Sequence, residues 1–100
     1  MAVAEVSIVP IGTGSPSVSK YVARVVQVLQ NQEEIKYEFT PMGTILEGDV
    51  HGIFDLVQRM HRSAFDGEVL RVATTLKIDD RLDKDQSMNG KLSSLQRELE

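Results

Sequence analysis

The sequence has no cysteine and no tryptophan, three prolines, and only two tyrosines and three phenylalanines among its 100 residues. Without cysteine there is no disulfide, no thiol nucleophile and no thiolate metal site, and the composition fits a cytoplasmic protein. No apolar run approaches the ~20 residues that cross a bilayer. The N-terminus has neither the basic start nor the apolar stretch of a secretory leader. Acidic residues outnumber basic ones, fifteen to eleven, for a formal net charge of −4. That balance argues against a nucleic-acid surface, which needs a local excess of Lys and Arg against phosphate. What is present is an ordinary soluble composition, 41% hydrophobic and 26% charged, in a length that suits one small domain.

Residues 4–11, AEVSIVPI, alternate as a strand does, with Ala4, Val6 and Ile8 on one side and Glu5, Ser7, Val9 and Ile11 on the other. Pro10 has no amide to donate to a ladder and belongs near a strand end or a bulge. The loop GTGSPS follows, with Ser15 placed to cap the next helix and Pro16 in its first turn. Val18, Val22, Val25, Val26 and Leu29 recur as one buried helical face, which Asn31 and Gln32 end. Residues 35–40 and 44–47 read as two short strands joined by Pro41-Met42-Gly43, a hairpin. Asp49 is a good N-cap for a second helix whose inner side carries Val50, Ile53, Phe54, Val57, Met60 and Ala64, with Gly67 as its stop.

Residues 69–78 form the longest strand: Leu70, Val72, Thr74, Leu76 and Ile78 on one side, Arg71, Ala73, Thr75 and Lys77 on the other. A polar linker leads to a terminal helix that Ser87 can cap, striped by Met88, Leu92, Leu95 and Leu99. The reading is a single domain over residues 1–100, with a core from 4–79, a linker at 80–86 and a terminal helix at 87–100. The order β-α-β-β-α-β with right-handed crossovers predicts an α+β, ferredoxin-like sandwich: a four-stranded antiparallel sheet with two helices on one face, plus the extra C-terminal helix. That leaves one sheet face uncovered. Together with the narrow leucine stripe, this predicts a homo-oligomer, by sheet on sheet or helix against a neighbouring subunit. The alternative is that the terminal helix covers its own sheet.

Several motifs can be tested by their chemistry. GTGSPS lacks both the Gly-Lys-Ser/Thr ending of a phosphate loop and the GxGxxG spacing of a dinucleotide site, so turn and cap chemistry is its expected role. His51 and Asp55 share a helix face, but His61 lies ten residues on, rotated most of a right angle away. No metal site is therefore expected, and His61 reads as a half-buried, hydrogen-bonded histidine. Glu47 is the best single carboxylate, yet no spacing supplies it with a partner base or acid, so no catalytic residue is assigned. An RNA-recognition module with this chain order needs aromatics on its central strands, and EVSIVPIG and TILEG have none.

The stretch YEFTPMGTILEGDV fares better as a small-molecule site. Thr40, Thr44 and Glu47 offer donors and acceptors, Phe39 and Met42 offer a surface for a flat ring, and Gly43 and Gly48 permit tight turns or close backbone approach. Each residue alone has a plain structural explanation; their crowding into one hairpin is the signal.

The segments VPIGTGSPSVSKYVARV, YEFTPMGTILEGD and RVATTLKIDDRLDK together resemble a family of small thiamine-binding-like proteins related to YkoF, over nearly the whole chain. The resemblance implies a ferredoxin-like domain assembled into dimers or tetramers, and a ligand that is thiamine or its hydroxymethylpyrimidine part. It carries the family's hairpin segment onto Met42, Gly43, Thr44 and Glu47, and its first loop onto Thr13. A carboxylate such as Glu47 would favour the cationic thiazolium of thiamine. The expected protein is thus a non-enzymatic, cytoplasmic, oligomeric carrier or sensor that binds no nucleic acid, membrane or cofactor. Three alternatives remain at this stage: an ACT-like amino-acid-sensing module, a small dimeric α+β-barrel enzyme, and an oligomer without a small-molecule site.

Overall fold

Alternation in the first strand decides which side of the sheet becomes the core. The computed structural model describes residues 1–12, 19–83 and 88–99. Its elements are β1 (Ala2–Ile11), α1 (Ser19–Gln30), β2 (Lys36–Thr40), β3 (Gly43–Gly48), α2 (Val50–Ser63), β4 (Arg71–Asp80) and α3 (Met88–Leu99). Ala2, Ala4 and Val6 of β1 are buried, and Leu46 of β3 joins them on the same face. Against them pack Val25 and Leu29 of α1 and Ile53, Leu56, Val57 and Met60 of α2. The strands are antiparallel in the order β2-β3-β1-β4, which is the expected ferredoxin-like sandwich. Pro10 stands next to last in β1, opposite Val72, as a residue without an amide should.

Local signals act where they are read. The Asp49 carboxylate accepts from the backbone amides of His51 at 3.1 Å and Gly52 at 3.4 Å, so it caps α2. The turn between α1 and β2 is closed by the Gln32 amide, which accepts from Ile35 N–H at 2.8 Å and donates to the carbonyls of Leu29 and Ile35. His61 is half-buried and its Nδ1 lies 2.6 Å from the Thr74 hydroxyl, tying α2 to β4.

Three expectations are corrected. Phe54 is 56% exposed on the outer side of α2, and Leu56 takes the buried position; similarly Val22 is largely exposed on α1, while Tyr21 and Val28 lean on the core. An apolar repeat gives a helix's period, but its phase is set by what it packs on. Gly67 does not stop α2. The helix ends at Ser63, with Ala64 in right-handed helical conformation, because the Arg24 guanidinium reaches over from α1 to the carbonyls of Ser63 (2.7 Å) and Ala64 (3.2 Å). Leu70 precedes β4 and is exposed. The proposed caps Ser15 and Ser87, and Pro16 and Val18, lie outside the described residues.

Candidate ligand-binding site

The β2–β3 hairpin is drawn tight by its own side chains. Thr40 Oγ1 donates to the Gly43 carbonyl at 2.8 Å and accepts from Met42 N–H at 3.2 Å, so this hydroxyl is spent on the turn. Gly43 sits against the neighbouring strand: a Cβ there would lie 2.7 Å from the Val6 carbonyl oxygen, which only glycine avoids. The hairpin can therefore pack close against the middle of β1.

Between that hairpin, β1 and α1 lies a cavity of about 370 Å³. Val6 and Ile8 of β1, Tyr21, Val25 and Val26 of α1 and Met60 of α2 give it an apolar wall, and Phe39 and Met42 stand at its edge. Tyr21 donates its hydroxyl to the Ile8 carbonyl at 3.5 Å. Phe39 is held edge-on by Tyr37, with centroids 5.6 Å apart and planes at 63°.

Thr44 is the polar feature of this cavity. It is paired with Val6 on one side and Phe39 on the other, is only 9% exposed, and no hydrogen bond reaches its hydroxyl among the described residues. No buried side-chain oxygen or nitrogen described is both sealed from solvent and unpartnered. The Thr44 hydroxyl therefore keeps an open edge, on the strand face that lines the cavity.

Of the seven residues that the sequence pointed to, the structure gathers five here: Phe39, Thr40, Met42, Gly43 and Thr44. Thr13 lies outside the described residues. Glu47 stands on the other side of the sheet, because positions three apart on a strand point to opposite faces. It pairs with Val3 and Lys36, is 6% exposed, and has no hydrogen bond or ion pair among the described residues. Among the residues that sequence reasoning missed are Tyr21, to which it gave no role, and Val25, Val26 and Met60, which it assigned to helix faces without regard to the cavity that they border.

A second groove, about 480 Å³, runs past Glu33, Glu34, Asp55 and Arg59, but its Gln32 amide is already committed to its own turn and Arg59 is paired with Asp55 at 3.3 Å. Among the described residues no three His, Cys, Asp or Glu side chains group as metal ligands, and no helix is long and apolar enough to cross a membrane.

Comparison with known proteins adds a family. Residues 4–96 match the thiamine-binding protein family. The chain is 43% identical to the UPF0045 protein YqgV of Bacillus subtilis over 103 residues, covering all of this chain and 99% of that one. It is 42% identical to a UPF0045 protein of Staphylococcus xylosus, over 99% of this chain and 95% of the relative. The crystal structure of protein MJ1052 of Methanocaldococcus jannaschii superposes with a TM-score of 0.83 at 40% identity, over 95% of each chain. These names state a family and no activity.

Proposed function

The chain belongs to the thiamine-binding protein family, and on that premise we propose that it is a non-enzymatic binding protein for thiamine or its hydroxymethylpyrimidine moiety, held in the hairpin cavity. The observation that carries this reading is Thr44, a nine-tenths buried residue whose hydroxyl has no partner among the described residues, beside Phe39 and Met42 in a cavity of about 370 Å³. A flat aminopyrimidine suits such a space: apolar faces against phenyl and thioether groups, and ring nitrogens or an amine within reach of a hydroxyl. The cavity is at the small end of the usual ~300–1,000 Å³ for organic ligands, which favours one ring over an extended molecule.

The described lining supports binding rather than catalysis in this reading. Tyr21 is the one titratable side chain among its described residues, and its hydroxyl already donates to Ile8. No acid–base pair stands among its described lining residues. The protein acts in this reading as a cytoplasmic carrier or sensor and as a homo-oligomer, a dimer or tetramer; a sheet face with no helix over it among the described residues supports the oligomer.

Titration calorimetry with thiamine, hydroxymethylpyrimidine and thiamine pyrophosphate tests the proposal, on protein first unfolded and refolded to strip any carried ligand. Saturable heat with the first two supports it. Silence with all three removes it and leaves the fold standing.

A further inference from the structure

The first strand outlasts its inner neighbour. β1 pairs with β4 along its whole length, from Ala2 opposite Asp80 to Ile11 opposite Arg71, but with β3 only from Ala2 to Val6. Residues 7–11 therefore have a ladder on one side and an open edge on the other. Two observations fix which backbone groups face that edge. Pro10 has no amide, yet the register with β4 runs past it without a bulge, so the residues in step with Pro10 turn their backbone groups away from β4. Val6 agrees, because its carbonyl oxygen is the atom that a Cβ on Gly43 would meet, on the β3 side. Ile8 lies in the same step, between Val6 and Pro10, so its N–H and C=O both face the open edge.

Met42 is the residue that would close this edge, since the register that sets Val6 opposite Thr44 sets Ile8 opposite Met42. Its amide donates instead to Thr40 Oγ1 at 3.2 Å, and the chain turns away. The gap so left belongs to the hairpin cavity, which Ile8, Met42 and Thr44 line together. There the Tyr21 hydroxyl reaches the Ile8 carbonyl at 3.5 Å, the long limit of a hydrogen bond, and the oxygen has a second lone pair to offer. Beyond the ladder, no acceptor reaches the Ile8 N–H among the described residues.

We propose that the Ile8 backbone selects the ligand of this cavity: its N–H donates to a ring nitrogen and its C=O accepts from the adjacent exocyclic amine of an aminopyrimidine. In an extended residue the two groups point the same way in one plane, as the two ligand atoms do. The ring thus supplies the pairing that Met42 withholds, as an added strand does at a sheet edge. Because a backbone pair cannot exchange donor for acceptor, a ring with those roles reversed leaves both groups unpaired. Pro10 limits the edge: among residues 7–11 only Ile8 presents an N–H on that side, which suits one ring and not a peptide strand. The Thr44 hydroxyl stays available to a further substituent of the ring. This proposal rests on the cavity reading above and deepens it by naming the atoms that discriminate.

The test is calorimetry on the full chain with three ligands, together with amide NMR of the isotope-labelled chain. The ligands are hydroxymethylpyrimidine, its analogue lacking the ring amine, and its analogue with an oxo group in the amine's place. Loss of the amine removes one neutral hydrogen bond, so the first analogue should bind about two- to tenfold more weakly. The oxo analogue carries a proton on its ring nitrogen and an acceptor outside it, loses both bonds, and should bind more weakly still. During titration with hydroxymethylpyrimidine the Ile8 amide proton should move downfield and exchange more slowly with solvent. Equal affinity for all three ligands, or saturable binding without a response at Ile8, overturns the role of Ile8 and leaves the cavity reading in place. Silence with hydroxymethylpyrimidine itself overturns both.

Discussion

Thr44 and Glu47 stand three residues apart on β3 and face opposite sides of the sheet, both almost fully buried and neither with a hydrogen-bond partner among the described residues. One hydroxyl opens to the cavity under α1; one carboxylate belongs to the face without helices. The two polar groups that the hairpin motif seemed to offer to one ligand thus serve separate surfaces.

Thr44→Val keeps the shape of the side chain and removes its hydroxyl. A neutral hydrogen bond contributes about 0.5–1.5 kcal/mol, so affinity for hydroxymethylpyrimidine should fall about two- to tenfold. The thermal midpoint should hold or rise, since the native hydroxyl has no hydrogen-bond partner among the described residues to lose. Calorimetry and a melting curve on the same variant check both halves.

Glu47→Gln should leave affinity in the hairpin cavity and stability unchanged, because Glu47 faces the other side of the sheet and its carboxylate has no hydrogen bond or ion pair among the described residues to lose. The checks are a titration and a denaturant curve. A tenfold loss of thiamine affinity would bring Glu47 back to the ligand and contradict the separation of faces.

Gly43→Ala places a methyl 2.7 Å from the Val6 carbonyl oxygen, a backbone atom that can move only if β1 and β3 part. Crowding of this kind costs about 1–3 kcal/mol. With about 4–8 °C per kcal/mol for a domain of this size, the melting temperature should drop clearly, and ligand affinity with it, since the hairpin forms the cavity edge.

Arg24→Ala removes the donor that closes α2 and the ion pair to Asp66 at 3.2 Å. The pair is about one-third exposed and so contributes little by itself; the two carbonyls left open near the helix end matter more. Roughly 1–2 kcal/mol of destabilisation is expected from hydrogen bonds of this charged type. Urea unfolding of the alanine and lysine variants checks it, with lysine recovering part of the loss.

Much of this was legible in the sequence, for identifiable reasons. Strand alternation from Ala4 onward, the Asp49 cap and the position of His61 depend on neighbours a few residues away, and local spacing states them. The phase of α2 does not: Phe54 and Leu56 are both apolar, and only the sheet beneath decides which is buried. The end of α2 was hidden because Arg24 is some forty residues earlier in the chain. Clustering picked out the hairpin residues, but clustering ignores the pleat. The three-residue step from Thr44 to Glu47 already implied opposite faces, and applying it would have separated them beforehand. Thr40 was recognisable as polar, while its role in the turn required the geometry of Met42 and Gly43.

The most direct test of the central claim is to map the ligand on the protein by amide and methyl NMR during titration with hydroxymethylpyrimidine. The account predicts shifts concentrated at Phe39, Met42, Thr44, Tyr21 and Val25, with Val3, Ile45, Glu47 and Lys77 undisturbed. Saturable shifts centred on Val3, Ile45 and Glu47 instead would place the ligand on the opposite sheet face and contradict it.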